Sequence, residues 1–150
     1  MNRRQALSTI GASTAALAAF RSLAARPAPE DAHGAHAAGR SGSIEECARA
    51  CADCLLECSR AFKHCLDQVA GGRKEHSKCL EHCADSIELC SSCAALCGRA
   101  SPSLHHACEA CARCCEDCAR ECELLGDPAL KACIEACRRC AKACRAVHAS

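Results

Sequence analysis

Cysteine carries the chemistry of this chain, since 20 of its 150 residues are Cys, a share well above the level that marks a specialised scaffold. Sulfur side chains can pair as disulfides, bind soft metal ions as thiolates, or hold iron–sulfur clusters. These uses need different arrangements of the sulfurs. The spacing of the cysteines therefore decides which chemistry is available.

The cysteines recur at intervals of three, four and seven residues, which place them on one face of a helix. In the first group Cys47, Cys51, Cys54, Cys58 and Cys65 are separated by 4, 3, 4 and 7 residues. Three more groups follow the same heptad pattern, and of all 20 only Cys114 falls beside its stripe. The predicted metal ligands are Cys47, Cys51, Cys54, Cys58, Cys65, Cys79, Cys83, Cys90, Cys93, Cys97, Cys108, Cys111, Cys114, Cys115, Cys118, Cys122, Cys133, Cys137, Cys140 and Cys144.

Four helices joined by short loops are predicted to carry these stripes. Ser43 and Glu46 have the spacing of a capping box and predict the start of the first helix, which ends at Gly71 and Gly72. The second helix spans about residues 73–97, the third starts at residues 101–102 and ends before residue 126, and the fourth spans about residues 127–147. The predicted fold is all-α, an antiparallel up-down-up-down four-helix bundle over residues 43–150 with a Cys-lined core.

The stripes have two gaps and four aliphatic ends. Ala61 and Ser86 occupy stripe positions where the heptad calls for Cys. Leucine or valine continues the register at the helix ends, at Leu104, Leu125, Leu130 and Val147. Only 16 large apolar residues follow residue 25. Because a buried thiol behaves as a small hydrophobic group, the cysteines are expected to form the core itself.

Three uses of clustered cysteines are open alternatives to the binding of several soft monovalent ions. A disulfide-stapled bundle is one, although disulfide scaffolds are usually short and rich in loops. Zinc is another, but four thiolates around each Zn²⁺ would leave two negative charges per site with few inward-facing cations to offset them. An iron–sulfur or redox centre is the third, supported by CxxC at residues 51–54 and 111–114 but lacking the Cys-Pro ending of the bacterial ferredoxin motif.

Multiple Cu(I) ions suit the pattern best. Cu(I) is soft, accepts two or three thiolates and carries a single positive charge, so one ion per thiolate gives a neutral core. If each sulfur bridged two ions and each ion took two sulfurs, the bundle would hold on the order of 20 ions. Pairs four residues apart, such as Cys47 and Cys51, place two sulfurs one helical turn apart where they can share an ion.

The N-terminal segment is interpreted as an export signal. Residues 1–25 contain Arg3 and Arg4, followed by a weakly hydrophobic, uncharged stretch at residues 5–20, the pattern of a twin-arginine signal peptide. That stretch has 16 residues, short of the roughly 20 apolar residues of a membrane span. Residues 26–42 are expected to form a disordered linker, and the protein is expected to be periplasmic or otherwise exported.

Composition argues against nucleic-acid binding. Aromatic residues make up 1% of the chain, so platforms for base stacking are lacking. Without residues 1–25 the chain keeps 16 basic and 18 acidic residues, which leaves no basic surface for a phosphate backbone.

The Cys stripes on four helices, together with the twin-arginine leader, resemble the bacterial copper storage proteins, and the resemblance extends from Ser43 to Ser150. It implies a four-helix bundle that binds Cu(I) rather than catalysing a reaction, and a tetramer of such bundles. It also implies exchange of copper with a chaperone or a recipient cuproenzyme. Exported members place Met around the mouth of the bundle, whereas Met1 is the single Met here and belongs to the leader.

Histidine is therefore expected to serve at the mouth. In an antiparallel bundle His105 and His106, at the start of the third helix, lie at the same end as the start of the first, beside a thiol layer of Cys47, Cys97, Cys108 and Cys144. Both are predicted to take part in copper uptake. His64 and His76, near the other end, are expected to be solvated polar residues at helix ends.

Overall fold

The protein, represented by a computed structural model, is described from residue 34 to residue 148. Four α-helices make up most of this range: α1 (Gly34–Ala70), α2 (Ser77–Gly98), α3 (Leu104–Leu125) and α4 (Lys131–His148). Short 3₁₀ turns, Lys74–His76 and Pro128–Leu130, precede α2 and α4. The described range contains no strand. The predicted signal peptide, residues 1–25, and residues 26–33 of the predicted linker lie outside it.

The first helix begins nine residues earlier than the sequence predicts, at Gly34 rather than at Ser43. Ser43 is thus inside the helix, and the predicted capping box is wrong, as is the disordered linker for residues 34–42. The physical reason is local composition, since Ala35, Ala37 and Ala38 have the highest intrinsic helix propensity. Neither Gly39 nor Gly42 is enough to end the helix.

The connection between α3 and α4 follows the sequence signals. Gly126 adopts a left-handed conformation with φ of 69°, and its amide donates to the Glu123 carbonyl over 3.0 Å. A side chain at this φ would be strained, which explains the glycine. Asp127 then caps the next turn, with its Oδ1 accepting from the Ala129 amide at 2.9 Å, and Pro128 follows. The predicted cap and proline are confirmed.

Sulfur contacts show how the helices run. Near the start of α1, Cys47 Sγ lies 3.5 Å from Cys144 Sγ near the end of α4. Toward the end of α1, Cys58 Sγ lies 3.7 Å from Cys133 Sγ near the start of α4. The equivalent contacts between α2 and α3 are Cys93–Cys108 and Cys79–Cys122. Both pairs are antiparallel. Because Cys47 Sγ also lies 3.8 Å from Cys108 Sγ near the start of α3, α1 and α3 run in the same direction, and the predicted up-down-up-down bundle is confirmed.

The core of the bundle is sulfur. Nineteen cysteines are no more than 4% exposed, while Cys114 is half-buried beside its stripe. Leu104, Leu130 and Val147 are buried at the helix ends, and Leu125 is half-buried. Leu55, Phe62, Leu80 and Ile87 pack against the outside of the sulfur column.

The outer faces of the helices are polar. Ion pairs within helices, such as Lys63 with Asp67, each stabilise a helix by only a few tenths of a kcal/mol. Arg145 of α4 donates two hydrogen bonds to the Glu116 carboxylate of α3, at 2.6 and 2.7 Å. No helix between residues 34 and 148 is both long and apolar enough to cross a bilayer.

Candidate metal-binding core

The thiols form a nearly continuous column of sulfur contacts. Neighbouring Sγ atoms mostly lie 3.5 to 4.0 Å apart, as for Cys54 with Cys58 (3.7 Å) and Cys54 with Cys137 (3.6 Å). The shortest of the Sγ contacts described joins Cys79 and Cys122 at 2.7 Å. All 20 cysteines are free thiols, so the structure does not show the disulfide-stapled alternative.

Sulfur atoms gather in overlapping groups of four, each with all its Sγ atoms within 4.8 Å of one another. In three of these groups every helix supplies one member, and in two others one helix is missing. These five groups, among those that the described residues form, are Cys47/Cys93/Cys108/Cys144, Cys51/Cys93/Cys111/Cys144, Cys54/Cys90/Cys115/Cys140, Cys58/Cys118/Cys133/Cys137 and Cys83/Cys118/Cys122/Cys133. Cys93, Cys118, Cys133 and Cys144 each belong to two of these groups, as bridging ligands would.

The two incomplete groups match the two gaps in the sequence stripes. The group around Cys58 has no member from α2, whose stripe holds Ser86 between Cys83 and Cys90. The group around Cys83 has no member from α1, whose stripe holds Ala61. Both substitutes are buried, with Ala61 4% and Ser86 0% exposed. The gaps therefore remove ligands without opening the bundle to solvent.

The spacing of the sulfurs fits bound metal ions without rearrangement of the helices. A metal–thiolate distance of about 2.3 Å puts the sulfurs of a three-coordinate ion about 4 Å apart, and those of a linear one about 4.6 Å apart. The contacts of Cys90, at 3.7 Å to Cys111 and 3.8 Å to Cys140, lie close to the first value. Distances alone therefore allow several soft ions.

The charge of the metal ion distinguishes zinc from Cu(I) as the occupant of the sulfur column. Among residues 41–147 the buried polar or charged side chains are His76 and Ser86, so no Lys or Arg reaches the sulfur column. Uncompensated thiolates in this environment would each carry a large desolvation cost. Zinc would leave two negative charges on every four-thiolate site, whereas Cu(I) at one ion per thiolate leaves none.

The acidity of the thiols shows the same constraint. Burial raises the pKa of Cys65 and of Cys97 to about 12, and the neighbouring thiols Cys79 and Cys47 respectively raise it further. A hydrogen bond from Cys122 lowers the pKa of Cys79 to about 4. In the metal-free column the hydrogen bond from Cys122 thus stabilises the Cys79 thiolate, while burial favours the protonated forms of Cys65 and Cys97.

Comparison with known families settles the relationship. A family model described as copper storage protein matches residues 40–149. The chain belongs to the copper storage protein family. A search of curated proteins finds no significant match. Among solved structures, the chain resembles a Cu(I)-bound copper storage protein, BsCsp3, with 30% sequence identity and a TM-score of 0.64 over 70% of this chain and 97% of that one.

Within this member of the copper storage family, Cys114 occupies a position of its own. Its half-buried thiol lies 3.5 Å from the Ser86 hydroxyl, and burial raises its pKa. It lines a shallow groove between α2 and α3 together with His82, Asp85, Glu88, Leu89 and Asp117. Cys114 therefore connects the edge of the sulfur column with the surface.

The predicted mouth histidines lie outside the column. His105 and His106 are exposed at the start of α3, with ring centroids 3.7 Å apart. Leu104 and Val147 are both buried at this end of the bundle, which we call the His105 end. The nearest sulfur group takes Cys93 from α2, where the sequence predicts Cys97, because Cys97 lies one helical turn closer to the end.

Sequence reasoning missed a cluster at the opposite end, which we call the Asp127 end. His76 is only 5% exposed, so the expectation of a solvated residue is wrong for it. His64 is partly buried and makes a 2.7 Å contact with Asp127. Asp127 was recognisable only as a helix cap, and nothing local in the sequence shows that the two histidines approach it.

Proposed function

We propose that this chain binds and stores multiple Cu(I) ions through the thiolates in its core, for copper supply or detoxification. The observation that carries the proposal is a column of 19 buried thiols with no buried Lys or Arg among residues 41–147. Ions that neutralise one thiolate each can fill such a column without leaving charge in it. The resemblance to a Cu(I)-bound family member supports the same ion.

Storage, rather than catalysis, suits the arrangement. The overlapping groups of four are chemically alike and extend along the bundle, whereas a catalytic or electron-transfer centre needs one distinct site. With each sulfur bridging two ions, the capacity is on the order of 20 ions per chain.

Anaerobic titration of the reduced protein with Cu(I) in the presence of a competing chelator tests this function. We expect an endpoint of about 20 ions per chain, from the bridging ratio above. A matched titration with Zn²⁺ should end well below that number, because each Zn²⁺ takes four thiolates and carries two positive charges. An endpoint of four or five Cu(I) ions would instead indicate a discrete metal centre.

Copper uptake is proposed to occur at the His105 end, with His105 and His106 as the first ligands. Their exposed, adjacent rings lie three and two residues before Cys108, which belongs to a sulfur group with a member from every helix. Replacing both with Ala should slow copper uptake in stopped-flow measurements and leave the endpoint unchanged. Unchanged uptake rates would argue against this role.

Export to the periplasm through the twin-arginine pathway is proposed from the leader, with Arg3 and Arg4 as its signature. That route carries folded cargo, so the thiols would be buried before they meet an oxidising compartment. Replacing both arginines with Lys should leave folded, reduced protein in the cytoplasm. Unchanged periplasmic accumulation would refute the assignment.

A tetramer of bundles is proposed for the assembled protein, with copper exchanged with a chaperone or a recipient cuproenzyme. The support is family membership together with Leu56, which is 51% exposed on the outer face of α1. Sedimentation of the cleaved protein should give the mass of four chains, and Leu56→Ser should shift it toward monomer. A monomeric wild-type protein would overturn the assembly.

A further inference from the structure

At the Asp127 end, two connections that are far apart in sequence meet. The turn between α1 and α2 supplies His76, and the turn between α3 and α4 supplies Asp127. His64, on the penultimate turn of α1, completes the cluster. His64 Nε2 lies 2.7 Å from Asp127 Oδ2, His76 Nε2 lies 4.0 Å from the same oxygen, and the two imidazole rings meet edge-on with centroids 5.7 Å apart.

His76 is the member that the fold leaves unsatisfied. The residue is 5% exposed, and its buried Nδ1 has no hydrogen-bond partner among the described residues. Its Nε2, at 4.0 Å from Asp127 Oδ2, is beyond hydrogen-bond range. Buried polar atoms are nearly always paired in folded proteins. An imidazole that lies beside a carboxylate with one buried nitrogen unpaired therefore calls for a further partner.

The Asp127 carboxylate is held in a position where it can bind the same group as His76. Its Oδ1 is occupied by the Ala129 amide at 2.9 Å, which fixes the carboxylate and directs Oδ2 toward the two histidines. The hydrogen bond from the Ala129 amide lowers the pKa of Asp127 most, and the hydrogen bond with His64 lowers it further. The carboxylate therefore stays ionised. Ligands of metal ions are commonly oriented by such outer hydrogen bonds.

We propose that His64, His76 and Asp127 form a binding site for a single divalent ion of the zinc class, separate from the sulfur column. Two imidazoles and a carboxylate suit a borderline divalent ion, while a soft monovalent ion prefers thiolates. Nitrogen and oxygen ligands at about 2.0–2.1 Å in tetrahedral geometry lie about 3.3 Å apart. Asp127 Oδ2 lies 2.7 Å from His64 Nε2 and 4.0 Å from His76 Nε2, and these distances bracket that value. Small side-chain movements would therefore complete the site.

The ion would tie together the end of α1 and both connections at the Asp127 end. That end would then stay closed whatever the content of the sulfur column, and exchange of the stored ions would be confined to the His105 end. This role goes beyond storage, since the site would hold one ion that is not part of the cargo.

Cobalt(II) added to the Cu(I)-saturated full-length protein under anaerobic conditions tests the site, because the core thiolates are then occupied. After equilibrium dialysis we expect one Co²⁺ per chain, with ligand-field bands but without sulfur-to-cobalt charge transfer, and Zn²⁺ should displace it. Asp127→Asn keeps a side chain able to cap the turn and should weaken cobalt binding at least tenfold. His64→Gln should do the same, while His82→Gln, outside the cluster, should bind as wild type does.

Three results would overturn the proposal: no retained Co²⁺, a charge-transfer band showing thiolate ligands, or wild-type affinity in both Asp127→Asn and His64→Gln. Copper content is measured on the same samples before cobalt is added. A failure of the sulfur column therefore shows as low copper content, and a failure of the histidine site shows as absent cobalt with full copper.

Discussion

At the scale of single residues, the thiols in this core are individually replaceable ligands. Most of the sulfurs in the column have several sulfur neighbours at similar distances. Cys54, for example, contacts Cys58, Cys115 and Cys137 at 3.6 to 3.8 Å. An ion that loses one ligand can therefore find another close by. This redundancy is what separates a store from a site with a fixed ligand set.

Cys54 and Cys90 provide the sharpest test of redundancy. The structure places both in one four-sulfur group at mid-bundle, as their sequence register predicts. Replacing both with Ser should remove about two Cu(I) ions from a capacity of about 20, because each bridging sulfur accounts for about one ion. The endpoint of a chelator-competed titration measures this loss.

Loss of all copper binding in that double variant would contradict the account, since a discrete cluster generally fails when one ligand is removed. A matched control is Ser59→Ala with Ser91→Ala. These are exposed serines on the same two helices, and the pair should keep the wild-type endpoint.

At the scale of helices, the ligand stripes determine where the column is complete. The α2 stripe is interrupted at Ser86, and the sulfur group around Cys58 accordingly lacks an α2 member. Ser86 is fully buried, and its hydroxyl makes one contact, to the Cys114 thiol at 3.5 Å. At this position of the α2 stripe a hydroxyl oxygen therefore takes the place of a thiol sulfur.

Ser86→Cys should fill this gap at little steric cost, since a thiol is only slightly larger than a hydroxyl. We expect the Cu(I) capacity to rise by about one ion, by the same bridging ratio. Ser91→Cys, on the exposed face of α2, is the control and should add no ion that survives the chelator. An unchanged endpoint in Ser86→Cys would mean that the position does not face the ligand column.

Local sequence signals predicted the helices and the core, because the heptad period of Cys marks both at once. The same signals failed at the start of α1, where the cap-like residues Ser43 and Glu46 were outweighed by the alanines before them. The prediction that His76 is solvated failed for a different reason. It is buried next to Asp127, which is 51 residues away in sequence, and no helical period relates a residue in one connection to a residue in another.

At the scale of the whole molecule, stability and cargo are coupled. Leu130 is the one fully buried side chain larger than Cys in the described core. A core of small thiols buries less apolar surface than one of leucines and contributes correspondingly less stability. Ions that bind the folded bundle but not the unfolded chain add to its stability by mass action.

Copper loading should therefore raise the melting temperature substantially. A single ion present at a thousand times its dissociation constant adds about 4 kcal/mol, which corresponds to a rise of roughly 10 °C for a chain of this size. The full load should exceed that value. Calorimetry of metal-free and loaded protein under reducing conditions checks it, and equal melting temperatures would mean that the thiols serve another purpose.

The central claim is that the core holds about one Cu(I) per thiolate and stays electrically neutral, and native mass spectrometry measures both quantities at once. The account predicts species that differ by one copper minus one proton, continuing to about 20 ions per chain. Binding that stops at four or five ions would contradict it, as would a loss of about four protons per metal, since both indicate four-thiolate sites.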